Sequence, residues 1–220
     1  MQSIYFVDSN FTYESSKKSI LSIRYATDGF SFCVHDETGK LVVFVHEPYA
    51  ADSREAAVAR LKNYVVNDAI LNLRFKKVYI MPCFKEKLLV PGAFFDKANI
   101  TTLYTVNQEV SPDDTILYHH IEGIEAYLVE TVISSFHDFV REHFPVFQIV
   151  NGAYPFILGA MGKALRDTEQ IFLDIQDNYF DLLFIRDSGI LLFNTFSYKA
   201  TTDIVYFLLN CIKKCGLIWL

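Results

Sequence analysis

Hydrophobic and polar residues alternate along residues 20–46, as they do in β-strands that bury one face. The alternation is clearest in residues 30–35, where phenylalanine and valine take every second position and serine, cysteine and histidine take the others. Turn-forming sequences at residues 27–29 (Thr-Asp-Gly) and 36–39 (Asp-Glu-Thr-Gly) interrupt the apolar pattern. The segment is therefore predicted to form three antiparallel strands, over residues 20–26, 30–35 and 41–46.

A helix is predicted after these strands. Asp52 is followed three residues later by Glu55, which is the spacing of a capping box at a helix start. Apolar side chains then recur at helical spacing up to about Asn72, at Ala57, Leu61, Tyr64 and Val65. The apolar sequence Val-Tyr-Ile within residues 77–81 predicts a buried strand, which Pro82 ends.

Residues 86–123 are rich in aromatic and turn-forming residues and are predicted to be an inserted β-rich subdomain. Its expected strands are residues 88–90, 100–106 and 116–120. The following element, which begins near residue 125, is predicted to become a helix by Val132 and to stop at Pro145. A strand over residues 146–150 and a helix over residues 154–165 complete this part of the chain.

The order strand, strand, strand, helix, strand then starts a second time, at Gln170. Strands are predicted over residues 170–175, 180–186 and 190–196, followed by a helix over residues 202–215 with Gly216 at its C-terminus and the beginning of another strand at residues 217–220. The repeat predicts an α/β protein made by duplication, with a mixed sheet in each half. Residues 1–168 would form the first half, and residues 169–220 a truncated second half. A continuation of the chain after Leu220 is therefore expected.

The composition narrows the class of protein. The 220 residues are 51% hydrophobic and carry a formal net charge of −6, which excludes a disordered chain and argues against nucleic acid as a partner. Apolar runs such as residues 204–209 are much shorter than the roughly 18 residues of a membrane-spanning helix, so no membrane span is predicted. The N-terminal residues lack the basic region of a signal peptide, so we expect a cytoplasmic protein.

Candidate metal sites and nucleophiles in the sequence are weak. His119 and His120 are adjacent on a predicted strand and should point to opposite faces. Cys211 and Cys215 share a helix face, but no second pair of ligands completes a site, so they are interpreted as buried free thiols. We therefore predict no metal site and no catalytic residue.

Two segments resemble a known fold. The sequence VFQIVNGAYPFILGA at residues 146–160, followed by IFLDIQDNYFDLLFIRDSG at residues 171–189, resembles the junction between the two halves of proteins with the actin-like ATPase (RNase H-like) fold. The similarity extends distantly to the actin-like protein of type IV pilus assembly. The chain is also identified as a member of an uncharacterised Bacteroidota family of small proteins with this fold. The resemblance implies two lobes with mixed five-stranded sheets, the second of them incomplete.

In this superfamily each half opens with a strand that ends in Asp-x-Gly, where the Asp handles the metal and the Gly admits the phosphates. Here Arg24 stands where the first Asp is expected, and a cation cannot ligate Mg²⁺. Asp174 matches the second Asp, but Gln176 replaces the Gly. The resemblance therefore implies a degenerate nucleotide site without a cofactor. Asn178 joins Asp174 and Gln176 as a cofactor-binding residue only in the alternative, in which Mg-ATP still binds.

These departures lead to the expected function. We predict a non-catalytic binding or scaffold protein, in effect a pseudo-ATPase, that engages a protein partner or associates with itself. The excess of phenylalanine and tyrosine would supply its core and an exposed patch. We also predict that Arg24 and Asp174 form a salt bridge that replaces the bridge made by metal and nucleotide in active relatives.

Overall fold

The computed structural model describes residues 2–216. It contains twelve strands and six α-helices in these residues. The strands are β1 (Ile4–Val7), β2 (Ile20–Ala26), β3 (Gly29–His35), β4 (Leu41–Pro48), β5 (Lys77–Pro82), β6 (Lys87–Pro91), β7 (Asp114–Ile121), β8 (Ala126–Ile133), β9 (Phe147–Ile149), β10 (Glu169–Ile175), β11 (Tyr179–Arg186) and β12 (Gly189–Ser197). The helices are α1 (Tyr13–Ser16), α2 (Arg54–Asn67), α3 (Ile100–Thr105), α4 (Ser134–His143), α5 (Ala153–Met161) and α6 (Thr201–Lys214).

The chain folds into two compact units. The first comprises residues 2–84, 108–119 and 130–152, and the second comprises residues 85–107, 120–129 and 153–216. Strands β7 and β8 therefore each begin in one unit and end in the other, and they form a three-stranded sheet with the order β6-β8-β7. The boundary predicted near residue 168 separates the two halves of the sequence repeat rather than these two compact units, and it stays a prediction.

A six-stranded mixed sheet forms the centre of the first unit, with the strand order β1-β4-β3-β2-β5-β9. Strands β2, β3 and β4 are the predicted antiparallel meander, and β5 and β9 continue the sheet in parallel with β2. Five of these strands were predicted, so the prediction of a five-stranded sheet was one strand short. The added strand, β1, pairs with β4 at the sheet edge and exposes most of its side chains, which removes the alternation that identified the others.

Helix α2 covers this sheet and starts one residue later than predicted. The hydroxyl of Ser53, rather than the carboxylate of Asp52, caps the helix by accepting a hydrogen bond from the Ala56 N–H at 3.1 Å. The helix ends at Asn67. Asn72, the predicted end, lies beyond it and donates side-chain hydrogen bonds to carbonyl groups of the last turn. The apolar face of α2 packs into the main core with the sheet residues.

The second unit contains an antiparallel sheet with the order β10-β11-β12. Its central strand, β11, is buried on both faces, which explains its nearly continuous apolar sequence. Leu183 and Ile185 pack in one cluster with α5, whereas Phe180 and Phe184 pack in another with α6. Among the described residues this sheet has three strands, and the strand predicted at residues 217–220 lies outside them.

Two predictions were wrong, one inside the inserted segment and one directly after it. Residues 100–106 contain helix α3 rather than a strand, with Ile100 and Tyr104 buried one helical turn apart. The segment is therefore mixed rather than β-rich. The element after it is strand β8 as far as Ile133, and helix α4 begins only at Ser134. The predicted Gly216 does follow α6, with a φ of +74° that suits glycine.

Candidate functional site

The predicted counterpart of the first phosphate loop is a tight turn between β2 and β3. Ala26 pairs with Gly29, so only Thr27 and Asp28 lie in the turn. Their carbonyl groups accept hydrogen bonds from the N–H groups of Ala51 (2.8 Å) and Tyr49 (3.1 Å). Such a short, tethered turn has no loop that could wrap around a phosphate.

Side chains also close this turn. The guanidinium of Arg24 lies 3.5 Å from the Asp28 carboxylate. A Cβ at Gly29 would lie 2.7 Å from the Glu47 carbonyl oxygen, and the φ of this glycine is +149°. The glycine is therefore required by the close approach of β4 and not by a ligand. In the predicted alignment with the superfamily motif, the first unit thus has a cation, Arg24, at the position of the acid and Ala26 at the position of the phosphate-binding glycine.

The counterpart of the second phosphate loop is the turn between β10 and β11. The side-chain amide of Gln176 donates to the Asp174 carboxylate at 3.0 Å, and the Gln176 N–H donates to the Tyr179 carbonyl at 2.9 Å. Tyr198, which directly follows β12, binds this turn at two points. Its N–H donates to the Asn178 carbonyl, and its hydroxyl donates to the Gln176 carbonyl. Gln176, which is predicted to replace the glycine of the superfamily motif, thus has a hydrogen-bonded side chain.

Asp174 begins a row of polar residues across one face of the second sheet. Asp174 is paired with Asp181 in the β10–β11 register, and Asp181 is paired with Thr195 in the β11–β12 register. The Thr195 hydroxyl donates to the Asp181 carboxylate. Lys87 from β6 covers this row, with its Nζ atom 2.9 Å from Asp181 Oδ1 and 4.8 Å from the ring centre of Tyr179.

The Lys87–Asp181 ion pair is buried, with side-chain exposures of 1% and 2%. Burial raises the pKa of Asp181 above its ordinary value, although the Lys87 ammonium and the Thr195 hydroxyl act in the opposite direction. The Lys87 ammonium thus balances the negative charge of the Asp181 carboxylate, which lies beside Asp174. In the described part of the chain, no group of three His, Cys, Asp or Glu side chains could hold a metal ion.

A pocket of about 580 Å³ lies in the second unit beside the start of α6. It brings together Asn178 from the β10–β11 turn and Ser197 from the end of β12. Its remaining lining is basic and aromatic apart from one acid: Lys85, Tyr198, Lys199, Asp203, Tyr206 and Phe207. Asp174 and Gln176 do not line it, so the residues of the predicted ATP alternative are only partly assembled there.

Arg24 belongs to the first unit and Asp174 to the second. Their salt bridge therefore stays a prediction. The adjacent histidines point apart as expected: His119 Nε2 lies 3.8 Å from Glu130 Oε1, while the His120 ring packs against Tyr127.

A buried polar cluster in the first unit was missed by the sequence analysis. The Asn151 side chain, which follows β9, donates to Glu130 Oε2 at 2.9 Å, and both residues are at most 2% exposed. Burial lowers the pKa of the neighbouring His119. Nearby in sequence, Thr131 accepts a hydrogen bond from Arg54, whose guanidinium also binds the buried Asp114 carboxylate. The available signal was the single acid inside the apolar sequence of β8.

Comparison with solved structures shows the fold. A protein of Bacteroides thetaiotaomicron, described as having an actin-like ATPase fold and unknown function, aligns with a TM-score of 0.87 and 23% identity over 94% of this chain and 81% of its own. A structure described as the PilM–PilN type IV pilus biogenesis complex aligns with a TM-score of 0.51 and 13% identity over 88% of this chain and 66% of that one. The predicted actin-like ATPase fold is thus confirmed.

No protein of curated function matches the sequence. None of the helices in residues 2–216 is both long enough and apolar enough to cross a membrane. A family model described as protein of unknown function (DUF3822) matches residues 8–218, and the chain therefore belongs to this family.

Proposed function

We propose that this protein is a non-catalytic, actin-like-fold binding protein whose nucleotide site is degenerate. The observation that carries the proposal is the buried Lys87–Asp181 pair beside Asp174. A divalent cation would need carboxylate oxygens that are free to ligate it. Here one carboxylate is paired with an ammonium ion, and the other accepts a hydrogen bond from Gln176.

The first unit supports the same proposal. Its turn between β2 and β3 is too short to surround a phosphate, and Arg24 cannot replace a metal-binding acid. Catalysis of phosphoryl transfer relies on positioning and on metal-assisted charge stabilisation. The first phosphate-loop counterpart lacks the metal-binding acid, the acid of the second accepts a hydrogen bond from Gln176, and Ala26 and Gln176 take the places of the two glycines.

The proposal includes a protein partner or self-association in the cytoplasm. Similarity to a structure described as a complex supports the first part, since the same fold supports protein assembly there. The four cysteines are free thiols, which suits a reducing compartment. The predicted Arg24–Asp174 bridge remains part of this proposal.

Nucleotide binding provides the test. Thermal unfolding of the purified chain is measured with and without millimolar Mg-ATP, and ATP hydrolysis is followed by phosphate release. A nucleotide present at a hundred times its Kd would stabilise the folded state by about 2.7 kcal/mol. We expect no shift and no phosphate release. A saturable shift that requires Mg²⁺ and disappears in Asp174→Ala would contradict the degenerate site.

The pocket beside α6 favours a second candidate, an ATP-binding protein with altered phosphate contacts. Lys85 and Lys199 are cations suited to phosphate, and Asn178 and Ser197 supply polar groups. Isothermal titration with ATP distinguishes the candidates. Binding that is independent of Mg²⁺, abolished in Lys199→Glu and retained in Asp174→Ala would support this second candidate.

A further inference from the structure

Helix α6 carries apolar side chains on a face that points away from its own core. Val205, Tyr206 and Leu209 are 50%, 64% and 59% exposed. The opposite face contributes Ile204 and Cys211 to the cluster formed with β11. A surface helix that needs only one apolar stripe to pack is normally polar on its other side. An exposed apolar stripe of this kind is typical of an interaction surface.

Lysines flank this apolar stripe at both ends. Lys199 precedes the helix, and Lys213 and Lys214 lie in its last turn. Lys85 adds a further cation at the pocket next to the first turn. The chain as a whole has a net charge of −6, so this basic border differs in sign from the rest of the protein. It is complementary to an acidic ligand.

The acidic groups near the stripe are already engaged. The Asp203 carboxylate accepts hydrogen bonds from the N–H groups of Lys199 (2.9 Å) and Ala200 (3.1 Å), and these bonds lower its pKa. Glu86 lies 3.9 Å from the Lys85 ammonium. Asp203 therefore acts as the cap of its own helix. Asp203 and Glu86 keep their negative charges, but the four lysines Lys85, Lys199, Lys213 and Lys214 outnumber these two acids, so the border has an excess of positive charge.

The pocket makes the surface concave at one end. Its volume of about 580 Å³ lies between the aromatic rings of Tyr206 and Phe207 and the Lys85 side chain. A concave pocket accepts a protruding apolar side chain, as in helix-in-groove recognition. The flat surface of a lipid bilayer cannot fill it. The shape thus favours a protein segment over an anionic membrane.

We propose that α6 and its adjacent pocket dock an acidic amphipathic helix of a partner protein. The partner helix lies along the α6 stripe, which spans about 21 Å for a 14-residue helix. One of its apolar side chains enters the pocket, and its acidic residues face Lys85, Lys199, Lys213 and Lys214. This inference rests on the proposed function as a binding protein and specifies the chemistry of the partner.

The test uses a defined peptide as the probe. A fluorescein-labelled 18-residue helical peptide, with leucine at every third and fourth position and glutamate elsewhere, is titrated with the full chain and followed by fluorescence anisotropy. The matched control peptide carries lysine in place of glutamate. We expect the acidic peptide to bind at least tenfold more tightly than the basic peptide, and to weaken as salt is added. Equal affinities, or no binding, would overturn the inference.

Protein variants test the location. Lys85→Glu combined with Lys199→Glu, and separately Tyr206→Asp, should each weaken binding of the acidic peptide at least tenfold. Lys163→Glu, at an exposed position of the same unit outside the stripe, should leave binding unchanged. If Lys163→Glu weakens binding as much as the pocket variants do, the surface is misplaced. Circular dichroism checks that each variant is folded.

Three further outcomes separate this surface from a membrane site and from the proposed function. Binding of the chain to vesicles of phosphatidylcholine and phosphatidylglycerol, without binding of the acidic peptide, would replace the protein partner by a membrane and overturn the inference. Failure of the peptide to bind, together with no response to Mg-ATP, would reject this surface alone. A Mg²⁺-dependent ATP response would reject the degenerate site, whereas binding of the acidic peptide in the same experiment would still support this surface.

Discussion

Replacement of Lys87 by methionine should destabilise the second unit strongly at neutral pH. The variant keeps most of the apolar stem and removes the ammonium that lies 2.9 Å from the Asp181 carboxylate. Both side chains are at most 2% exposed, so the remaining carboxylate cannot recover its hydration. Removing one partner of a buried pair typically costs about 3–5 kcal/mol. We expect a loss in that range at pH 7.

The loss should depend on pH in a defined direction. Burial already raises the Asp181 pKa in the folded protein, and loss of Lys87 removes an interaction that lowers it. A carboxyl group whose pKa is higher in the folded state than in the unfolded state makes the folded state less stable as pH rises from the unfolded-state pKa through the folded-state pKa. The penalty of Lys87→Met should therefore shrink as pH falls from 7 to 4, because Asp181 becomes protonated.

The assay is urea unfolding followed by circular dichroism at several pH values. Lys163→Met, at an exposed position, is the matched control and should change the free energy of unfolding by no more than about 0.5 kcal/mol. The double variant Lys87→Met with Asp181→Leu should recover most of the loss, since it leaves no buried charge. A loss below about 1 kcal/mol at pH 7, or one that is the same at pH 4, would refute this reasoning.

Other predictions concern the first unit. Gly152→Ala should cost about 1–3 kcal/mol, because its Cβ would lie 2.4 Å from Cys83 Sγ, and adding Cys83→Ala should restore stability in thermal unfolding. Arg54→Met should cost about 3–5 kcal/mol in urea unfolding, since it leaves the Asp114 carboxylate, 2% exposed, without this guanidinium; an unchanged midpoint would contradict this. Burial lowers the pKa of His119 in the folded state. The resulting contribution to stability is present above the pKa of the unfolded state and is lost as pH falls through the pKa of the folded state. His119→Phe should therefore flatten the dependence of the unfolding free energy on pH between pH 7 and 5.

Much of the sheet could be predicted because its signals are local. Alternation along β2 and β3, together with the glycine in the turn between them, specifies a hairpin without any distant contact. Strand β1 could not be predicted in the same way, because it lies at the sheet edge and leaves most side chains exposed. Helix α3 was mistaken for a strand because six residues are too few for their periodicity to distinguish the two.

In the candidate site, too, local features could be predicted and contacts between distant residues could not. The residues that depart from the superfamily pattern, Arg24 and Gln176, could be identified because a motif compares residue types at known spacing. The ion pair between Lys87 and Asp181 could not, since its members are far apart in the chain and no local pattern pairs one with the other. For the Glu130–Asn151 contact, the single acid inside the apolar sequence of β8 indicates a buried carboxylate, but nothing in the sequence identifies its partner.

The sequence by itself determined the alternating strands and the order strand, strand, strand, helix, which occurs twice among the described residues. These properties depend on side chains whose relation is set by short stretches of backbone. Only the tertiary structure decided which charges are compensated in the interior and which apolar side chains of α6 remain exposed. Burial is a property of every element that packs around a residue, and periodicity within one element cannot determine it.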